Sequence, residues 1–501
     1  MKIKLNIKKD KILKFLIILG FTMILCQGFL QMHYSSDTYV LWDLGYMNYP
    51  QNYFLLDGRL ISSAVCFLAG ILKIPFEAYI VGMNFFGVLF VSISIYIMSN
   101  IIQKIIKQNS KVIEWSIVMA SFVLVLNQFT LEYLLFPESA VMCLGLLLIV
   151  LAIKMIVDKP KFLYLKVFLT LLVATICYQG MINIFPVYLI LIYIIKFIVS
   201  KGEYKTEEKE FFIEMIKFAV MVLIILFISI KIVDFGVNYF NSEQDRRIHL
   251  IDFEAFLLRG KIALRYLDRL WVKNMNMLPY YINPIILITT FVSLILLKTK
   301  KEIIMQYILF IFISFAISVV PMYLFNTGPA GRTNSPLMTM TGASLIILLA
   351  QSTTVQNSAK KKYIYILITT MFMINSIYTV RNISEHLESN AVEHNMGATI
   401  KYKLEEYEKE TGITVTKFGY GYDPEPQQFA HKIIAMGSLT ERKLACSWSI
   451  RQAINFYCER DFEKVSIPRE QYFDKMQRKD YKEFLEEQII FFEDEMYLIV
   501  Y

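Results

Sequence analysis

The sequence has little charge for its length. Of its 501 residues only 19% are Asp, Glu, Lys or Arg, whereas 56% are hydrophobic. A soluble protein usually carries about 25% charged and about 45–50% apolar residues. This shortage excludes an ordinary soluble enzyme and a disordered chain. Six cysteines in so long a chain are also too few for a disulfide-stapled secreted scaffold.

Sequence motifs of the common catalytic classes are absent as well. The sequence contains no P-loop, no G-x-G-x-x-G, no HExxH and no CxxC pair, and its five histidines show no metal-ligand spacing. The interiors of the long apolar runs hold almost no ionisable residues, and the two halves of the chain show no repeat. Coupled transporters normally place such residues at the middle of the bilayer, so the transporter hypothesis is weakened.

Long apolar runs dominate the chain instead. A membrane-crossing helix needs about 20 mostly apolar residues. Residues 1–380 predict an all-α polytopic membrane domain of eleven spans, the first of which we interpret as uncleaved because it lacks a small-residue cleavage site. The predicted spans are 12–32, 76–100, 112–130, 138–157, 163–179, 181–199, 214–235, 279–298, 303–324, 335–352 and 361–380.

The connections between these runs carry an uneven charge. Six alternate connections hold 23 Lys and Arg, whereas the other five hold 10. The positive-inside rule then places the N-terminus in the cytosol, and eleven spans place the C-terminal tail outside. The six basic connections are 1–11, 101–111, 154–166, 196–217, 298–302 and 357–362. Positive charge is thus mainly a topological label, and no nucleic-acid partner is expected.

Two stretches of the predicted outer connections have the pattern of helices on the membrane surface. The outer loop 33–75 includes the apolar stretch 60–73, which is too short for a span and fits an interfacial or re-entrant helix. The outer loop 236–278 includes 253–272, where apolar and basic residues alternate as in a helix lying on the membrane. Arg269 in that stretch is a candidate contact for anionic lipid heads or for a substrate phosphate.

The first outer loop carries the strongest candidate residues. It holds the acids Asp37, Asp43 and Asp57 and the cation Arg59 among many aromatic residues. Most of the aromatic residues fit an interfacial belt. An acid at the membrane boundary is a candidate for function. For Asp37 the alternatives are a helix cap, since Ser36 and Asp37 are both good caps, and a solvated loop acid.

Further candidates lie in the other predicted outer connections. Glu132 and Glu138 are at the same predicted membrane level as Asp37, although Glu138 after Pro137 also fits a helix start. Tyr178 and Gln179 suit hydrogen bonding to a sugar, as well as a tight turn. Arg332 suits a phosphate because its planar guanidinium can donate two parallel hydrogen bonds.

The tail, residues 381–501, predicts a small soluble α/β or α+β domain. It holds 16 Lys and Arg against 22 Asp and Glu, a net charge of −6. The patterns predict a helix over about 385–409, a strand over 413–422 and a hairpin over 489–501. Cys446 and Cys458 could form a disulfide or stay reduced, because spacing does not fix their geometry.

This layout resembles the GT-C class of membrane glycosyltransferases, and within it the bacterial family related to type II O-antigen glucosyltransferases. One span, an outer loop with an early acid, a surface helix, further spans and an outer C-terminal domain follow one another along nearly the whole chain. The matching segments are SSDTYVLWDLGYMNYPQNYFLLDGRLISSAVCFLAGIL, FPESAVMCLGLLLIVLAI, YQGMINIFPVYLILIYI and GPAGRTNSP. The early loop acid falls on Asp37, and the acid-then-GR landmark falls on Asp57, Gly58 and Arg59.

The resemblance implies transfer of a hexose, glucose above all, from undecaprenyl phosphate to a glycan of the cell envelope. Its implied partners are the polyprenyl-phosphate sugar, the glycan acceptor and membrane lipids. This sequence departs from a plain Asp-Asp pair, because Asp37 and Asp43 are six residues apart. Which of the two acids serves as the base therefore stays open.

Elementary chemistry assigns roles to these residues. An acceptor hydroxyl is a weak nucleophile and needs a carboxylate base, for which Asp37 is the first choice and Asp43 the alternative. Arg59 and Arg332 would hold the leaving phosphate. Glu138, Tyr178 and Gln179 would orient the sugar or the acceptor. The sequence requires no cofactor, although a divalent ion near Asp37, Asp43 and Glu138 is compatible with it.

Three other functions fit the same architecture. A polysaccharide polymerase or ligase would act through arginines and would not need Asp37. A flippase or transporter of lipid-linked sugars, and a non-catalytic receptor with an outer sensing domain, complete the alternatives.

Overall fold

The chain forms a helical body followed by a small sheet. The computed structural model describes residues 2–55, 57–108, 110–200, 205–239, 267–324, 330–355, 357–422, 443–446, 448–466 and 488–500. Its α-helices in the first half are α1 (Lys2–Leu25), α2 (Ser36–Tyr49), α3 (Leu60–Ile71), α4 (Phe76–Ile106), α5 (Lys111–Val125), α6 (Gln128–Leu131), α7 (Ser139–Asp158), α8 (Leu163–Cys177), α9 (Ile184–Val199) and α10 (Lys205–Tyr239).

The second half continues in the same way. Its helices are α11 (Ile282–Leu296), α12 (Lys301–Leu324), α13 (Pro336–Thr354), α14 (Ser358–Thr411) and α15 (Ile450–Cys458). Short 3₁₀ and π turns join them at Gln27–Leu30, Pro50–Phe54, Glu132–Leu134, Gln179–Asn183, Asp268–Val272, Asn274–Asn276, Gly331–Thr333 and Lys443–Ala445.

The prediction of eleven spans is wrong. Within the described residues, seven helices are long and apolar enough to cross a membrane, or eight if the bent pair α5 and 128–134 is one span. The seven lie on the predicted runs 76–100, 138–157, 181–199, 214–235, 303–324, 335–352 and 361–380. The chain therefore has the helices of a membrane protein, with fewer full-length spans than its hydropathy suggested.

The other four runs fall short for local reasons. Helix α1 ends at Leu25 and begins with a lysine-rich stretch, so its apolar part is too short. The run 112–130 breaks where the Asn127 side chain caps a new helix by accepting from the amides of Phe129 and Thr130, and the chain bends there by 60°. Helices α8 and α11 have 15 residues each. Hydropathy counts apolar residues, whereas caps and turns decide where a helix ends.

Burial separates the central helices from the peripheral ones. In α13, 89% of the apolar window is buried inside the protein, and in α7 and α9 67% is buried. In α10 and α12 the buried share is only 28%, and residues such as Leu223, Phe227 and Phe312 are exposed. In a bilayer those exposed apolar side chains would face lipid.

The helix α14 leaves the body and supports the tail. It runs unbroken for 54 residues across position 381 and ends where Gly412 adopts a left-handed conformation. Four strands follow, β1 (Lys417–Tyr422), β2 (Glu463–Lys464), β3 (Ile489–Phe492) and β4 (Glu495–Val500). Their order is β2-β1-β4-β3, with β1 parallel to both of its neighbours.

The strands β3 and β4 pair antiparallel, so the predicted hairpin is confirmed. Cys446 and Cys458 are both buried and reduced, which answers the question that the sequence left open.

The predicted surface helices have different outcomes. The stretch 60–73 forms the 12-residue helix α3. Most of the predicted helix 253–272, like most of the loop 236–278, lies outside the described residues. The described end of that stretch forms the π-helical turn Asp268–Val272.

The connections gather at two ends of the body. At one end Lys104 pairs with Asp158 at 2.7 Å, and Lys360 donates to the carbonyl of Leu296 at 3.0 Å. We call this the lysine-rich end. At the other end the residues 33–75, 127–139, 178–180 and 330–335 meet through contacts of Arg59 and Arg332. We call this the acid–arginine end.

Candidate functional site

Arg59 is the centre of the acid–arginine end. It lies between Gly58 and the first turn of α3, and its guanidinium reaches Glu138 at 2.7 Å and Asp57 at 3.0 Å. It also lies over the ring of Tyr178, 5.1 Å from the ring centroid. Arg59 thus contacts Asp57 from its own loop and two residues that are distant in sequence, Glu138 and Tyr178.

Gly58 allows Arg59 to reach this position. Its φ is +71°, a left-handed conformation that favours glycine. A Cβ at this position would lie 2.8 Å from Gln179 Nε2 and 2.8 Å from the side chain of Val233 in α10. This close approach brings residues 57–59 against the turn Gln179–Asn183 and against the C-terminal part of α10.

Arg332 forms a second ion pair beside the first. Its guanidinium is 3.7 Å from Glu132, and its backbone amide donates to the same carboxylate at 2.9 Å. The Tyr133 hydroxyl donates to the carbonyl of Arg332 at 2.9 Å, and the guanidinium lies 4.5 Å from the ring centroid of Phe136. Residues 132–136 therefore hold both the backbone and the guanidinium of Arg332 in place.

The sequence places Glu132 at the membrane level of Asp37 but assigns it no role in the site. Its side chain is fully buried. The signal was present, because an acid inside the apolar run 128–136 is costly unless a cation faces it. Its partner could not be found from the sequence, since Arg332 is 200 residues away.

Several buried polar atoms at this end have no hydrogen-bond partner within the described chain. They are Glu138 Oε2, Ser139 Oγ and Gln179 Nε2. Buried polar groups are usually paired, so unpartnered ones mark a place where a ligand can supply the missing hydrogen bonds. The acceptors and donors available here suit a neutral, hydroxyl-bearing molecule.

Asp37 lies in the first turn of α2 and is not the residue that caps it. Ser35 is the cap, because its side chain accepts from the Thr38 amide while Thr38 bonds back to the Ser35 amide. The alternative role of Asp37 as a cap is therefore removed. Its charge acts electrostatically on Arg59, Glu138 and Arg332, which places Asp37 with both ion pairs.

Asp43 lies elsewhere. It accepts a hydrogen bond from Asn455 Nδ2 at 2.9 Å and faces Arg451 at 3.8 Å, both on α15 of the tail. Helix α2 thus carries Asp37 on one face and joins the tail through Asp43 on another. These contacts engage Asp43 with the tail.

Arg269 is also apart from the cluster. It is exposed on the turn Asp268–Val272, where the neighbouring Asp268 pairs with Lys273 at 2.8 Å. No ion pair within the described ranges joins Arg269 to an acid of the cluster. The remaining predicted residues, Asp37, Asp57, Arg59, Glu138, Tyr178, Gln179 and Arg332, are brought together.

The electrostatics follow from burial. The cluster holds four carboxylates and two guanidiniums. Burial raises the pKa of Glu138 to about 7, although Arg59 opposes the shift and Asp37 adds to it. Burial by itself would lower the pKa of Arg59, but Asp57 and Glu138 raise it above its ordinary value. Both arginines therefore stay charged, while Glu138 can hold or release a proton near neutral pH.

An apolar groove lies next to the cluster. It has a volume of about 380 Å³ and runs between Leu55 and Leu60 on one side and Phe227 and Phe235 of α10 on the other. Lys231 is the charged residue on its wall. Leu60 on its wall follows Arg59 directly in the sequence, so the groove adjoins the segment that carries the guanidinium.

No metal centre is evident at this end. Among the residues that the structure describes, no group of three or more His, Cys, Asp or Glu side chains is arranged to hold a metal ion.

A scan against protein-family models gives no match to this chain. A search of curated proteins gives no match either.

Proposed function

We propose that the protein transfers a hexose, glucose above all, from a polyprenyl-phosphate donor to a glycan of the cell envelope, at the outer face of a bacterial plasma membrane. The observation that carries this proposal is the apolar groove lined by Leu60, the residue that follows Arg59, beside the ion pairs of Arg59 with Asp57 and Glu138. A polyprenyl phosphate has the matching chemistry, since its tail is apolar and its head is anionic.

Arg59 is the group that we assign to the phosphate. Its guanidinium is shared between Glu138, which is almost fully buried, and Asp57, which is 17% exposed. A phosphate can replace Asp57 more easily, because the more exposed carboxylate is rehydrated at lower cost. Arg332, with Phe136 stacked against it, would hold the charge that develops on the leaving group.

Asp37 is the group that we assign to the acceptor hydroxyl. It lies close enough to both arginines to act on their charge, and Asp43 is already engaged with the tail. A carboxylate that removes the proton during attack typically contributes about 10²–10⁴-fold in rate. The phosphate is a good leaving group without a proton, so the step needs no general acid. Glu138, Tyr178 and Gln179 would orient the sugar.

The test is transfer by the purified protein. Radiolabelled polyprenyl-phosphate hexoses and a glycan acceptor are supplied to the wild type, to Asp37→Asn and to Asp43→Asn. We expect hexose transfer by the wild type, a loss of about 10²–10⁴-fold in Asp37→Asn, and a smaller loss in Asp43→Asn. Absence of transfer from several hexose donors would reject the function. Full activity of Asp37→Asn would reject only the base.

A polysaccharide polymerase or ligase is the second candidate, and the two partly buried arginines, Arg59 and Arg332, favour it. Such an enzyme would use an oligosaccharide lipid as donor and would retain activity in Asp37→Asn. Offering an oligosaccharide lipid beside the single-hexose donors in the same assay separates the two functions.

A further inference from the structure

Three helices beside the acid–arginine end each carry a buried hydroxyl group. The groups belong to Tyr46 on α2, Ser62 on α3 and Tyr79 on α4, and none has an oxygen or nitrogen hydrogen-bond partner within the described chain, although the Cys66 thiol lies beside the Tyr79 hydroxyl. Ser62 and Tyr79 are 1% and 5% exposed, whereas Tyr46 is half-buried with a buried hydroxyl. This cluster, which we call the hydroxyl cluster, contains no charged side chain.

The geometry shows that these residues are neighbours. The rings of Tyr46 and Tyr79 meet edge to face with centroids 5.2 Å apart. The Cys66 thiol, one helical turn after Ser62, donates to the carbonyl of Tyr46 at 3.6 Å. The charge of Glu138 reaches both Tyr79 and Cys66. The hydroxyl cluster therefore adjoins the Arg59–Glu138 pair.

The missing partner of Ser62 is unusual for a helical serine. The next residue, Ser63, donates to the carbonyl of Arg59 at 3.2 Å, and Ser92 in α4 donates to the carbonyl of Val88 at 2.8 Å. Such bonds to the preceding turn are the common way for a buried serine to be satisfied. A buried hydroxyl without a partner costs stability, so three together require an explanation.

We propose that Tyr46, Ser62 and Tyr79 form a subsite for the hydroxyl groups of a hexose. A hydroxyl both donates and accepts, and an uncharged cluster selects a neutral ligand. A sugar ring supplies several hydroxyls of this kind, and its apolar C–H groups can pack against the aromatic rings of the two tyrosines. This inference rests on the proposed function for the source of the hexose, which is either the lipid-linked donor or the glycan acceptor.

The subsite predicts opposite effects on stability and on binding. Tyr79→Phe and Ser62→Ala remove a hydroxyl and keep the packing. Neither of the two removed hydroxyls has an oxygen or nitrogen partner within the described chain, so we expect each variant to have an unchanged or higher melting temperature than the wild type. Because each group would bond to the sugar, we expect about ten-fold weaker saccharide binding per hydroxyl.

Ser314→Ala is the matched control. Ser314 in α12 is also fully buried and its hydroxyl has no partner in the described chain, but it belongs to a peripheral span. We expect this variant to keep the wild-type affinity for every ligand. A lower melting temperature in Tyr79→Phe and Ser62→Ala would show that the hydroxyls already serve the fold, and would overturn the proposal.

Binding is measured by calorimetry with three ligands, polyprenyl phosphate, polyprenyl-phosphate glucose and an acceptor oligosaccharide. Weaker binding of polyprenyl-phosphate glucose alone would assign the subsite to the donor, and weaker binding of the oligosaccharide alone would assign it to the acceptor. Equal affinities of wild type and variants for both saccharides would overturn the proposal. If polyprenyl phosphate does not bind while saccharide binding depends on Tyr79, the proposed function fails and the hexose subsite stands.

Discussion

The two ends of the helical body use charge in different ways. At the lysine-rich end Asp158 is shared by Lys104 and Lys154, whose side chains are 62% and 50% exposed. At the acid–arginine end Glu138 and Arg59 form a pair whose side chains are 1% and 16% exposed. The first arrangement is solvated, whereas the second holds its charges inside the protein.

This difference distinguishes charges that serve as labels of membrane topology from charges that are candidates for function. An exposed ion pair contributes about 0–1 kcal/mol, so the lysines at the first end are free to vary so long as they remain positive. The free energy of desolvating a buried ion pair often exceeds the attraction between its two charges. Hydrophobic residues of similar volume would therefore stabilise the protein at least as well. Charges that are kept inside a protein without a gain in stability are candidates for binding or catalysis.

Removal of Arg59 is expected to give the largest effect. Arg59→Gln leaves Glu138 buried without its cation, so the free energy of unfolding should fall by about 3–5 kcal/mol. Lys104→Gln at the lysine-rich end is the control and should cost at most about 1 kcal/mol. Denaturant unfolding in detergent measures both. Similar losses in the two variants would contradict the contrast between the ends.

A double variant separates stability from activity in the same experiment. Arg59→Gln combined with Glu138→Gln removes both charges of the pair and should recover most of the lost stability. It should not recover hexose transfer, because the phosphate contact is still missing. Recovery of transfer would remove Arg59 from the proposed mechanism.

Gly58→Ala is expected to have a smaller effect. The left-handed conformation costs a residue with a Cβ about 1–2 kcal/mol, and the new Cβ would also press on Gln179 and Val233. Gly412→Ala is the matched control, since Gly412 has a φ of +72° but no atom within 4 Å of a Cβ. Activity should therefore fall in Gly58→Ala alone, and an equal loss in both variants would argue against tight packing at Arg59.

The smallest expected effect is a change in pH dependence. Glu138 has a pKa raised by burial to about 7 in the folded protein, against an ordinary value of 4.5. Between these values the folded state holds more protons than the unfolded state, so its stability falls as the pH rises and levels off above about pH 7. Glu138→Gln should flatten this slope in unfolding experiments from pH 4.5 to 8. An unchanged slope would exclude Glu138 as its source.

The sequence predicted which connections share an end, because successive apolar runs alternate in direction whether or not each is long enough to be a full span. Arg59, Glu138 and Tyr178 meet at one end, and Arg332 lies there against Glu132. The partner of Arg332 and the docking of Asp43 on Asn455 could not be predicted, because they depend on contacts across 200 and 412 residues.

The number of spans was overestimated for a related reason. The run 112–130 is apolar enough to cross, but the cap at Asn127 bends the chain inside it. The same bend turns Glu132 toward Arg332, so the departure from the hydropathy pattern is also what builds half of the site.

The central claim is tested most directly by determining on which side of the membrane the lysine-rich end and the acid–arginine end lie. All six native cysteines are buried, so single cysteines can be placed at Asp461, which is 86% exposed in the tail, and at Lys104, which is 62% exposed. Intact cells that express each variant are treated with a membrane-impermeant maleimide. The account predicts labelling of Asp461→Cys in intact cells and of Lys104→Cys only after permeabilisation. The reverse pattern would place the acid–arginine end in the cytosol and contradict the proposed outer-face reaction.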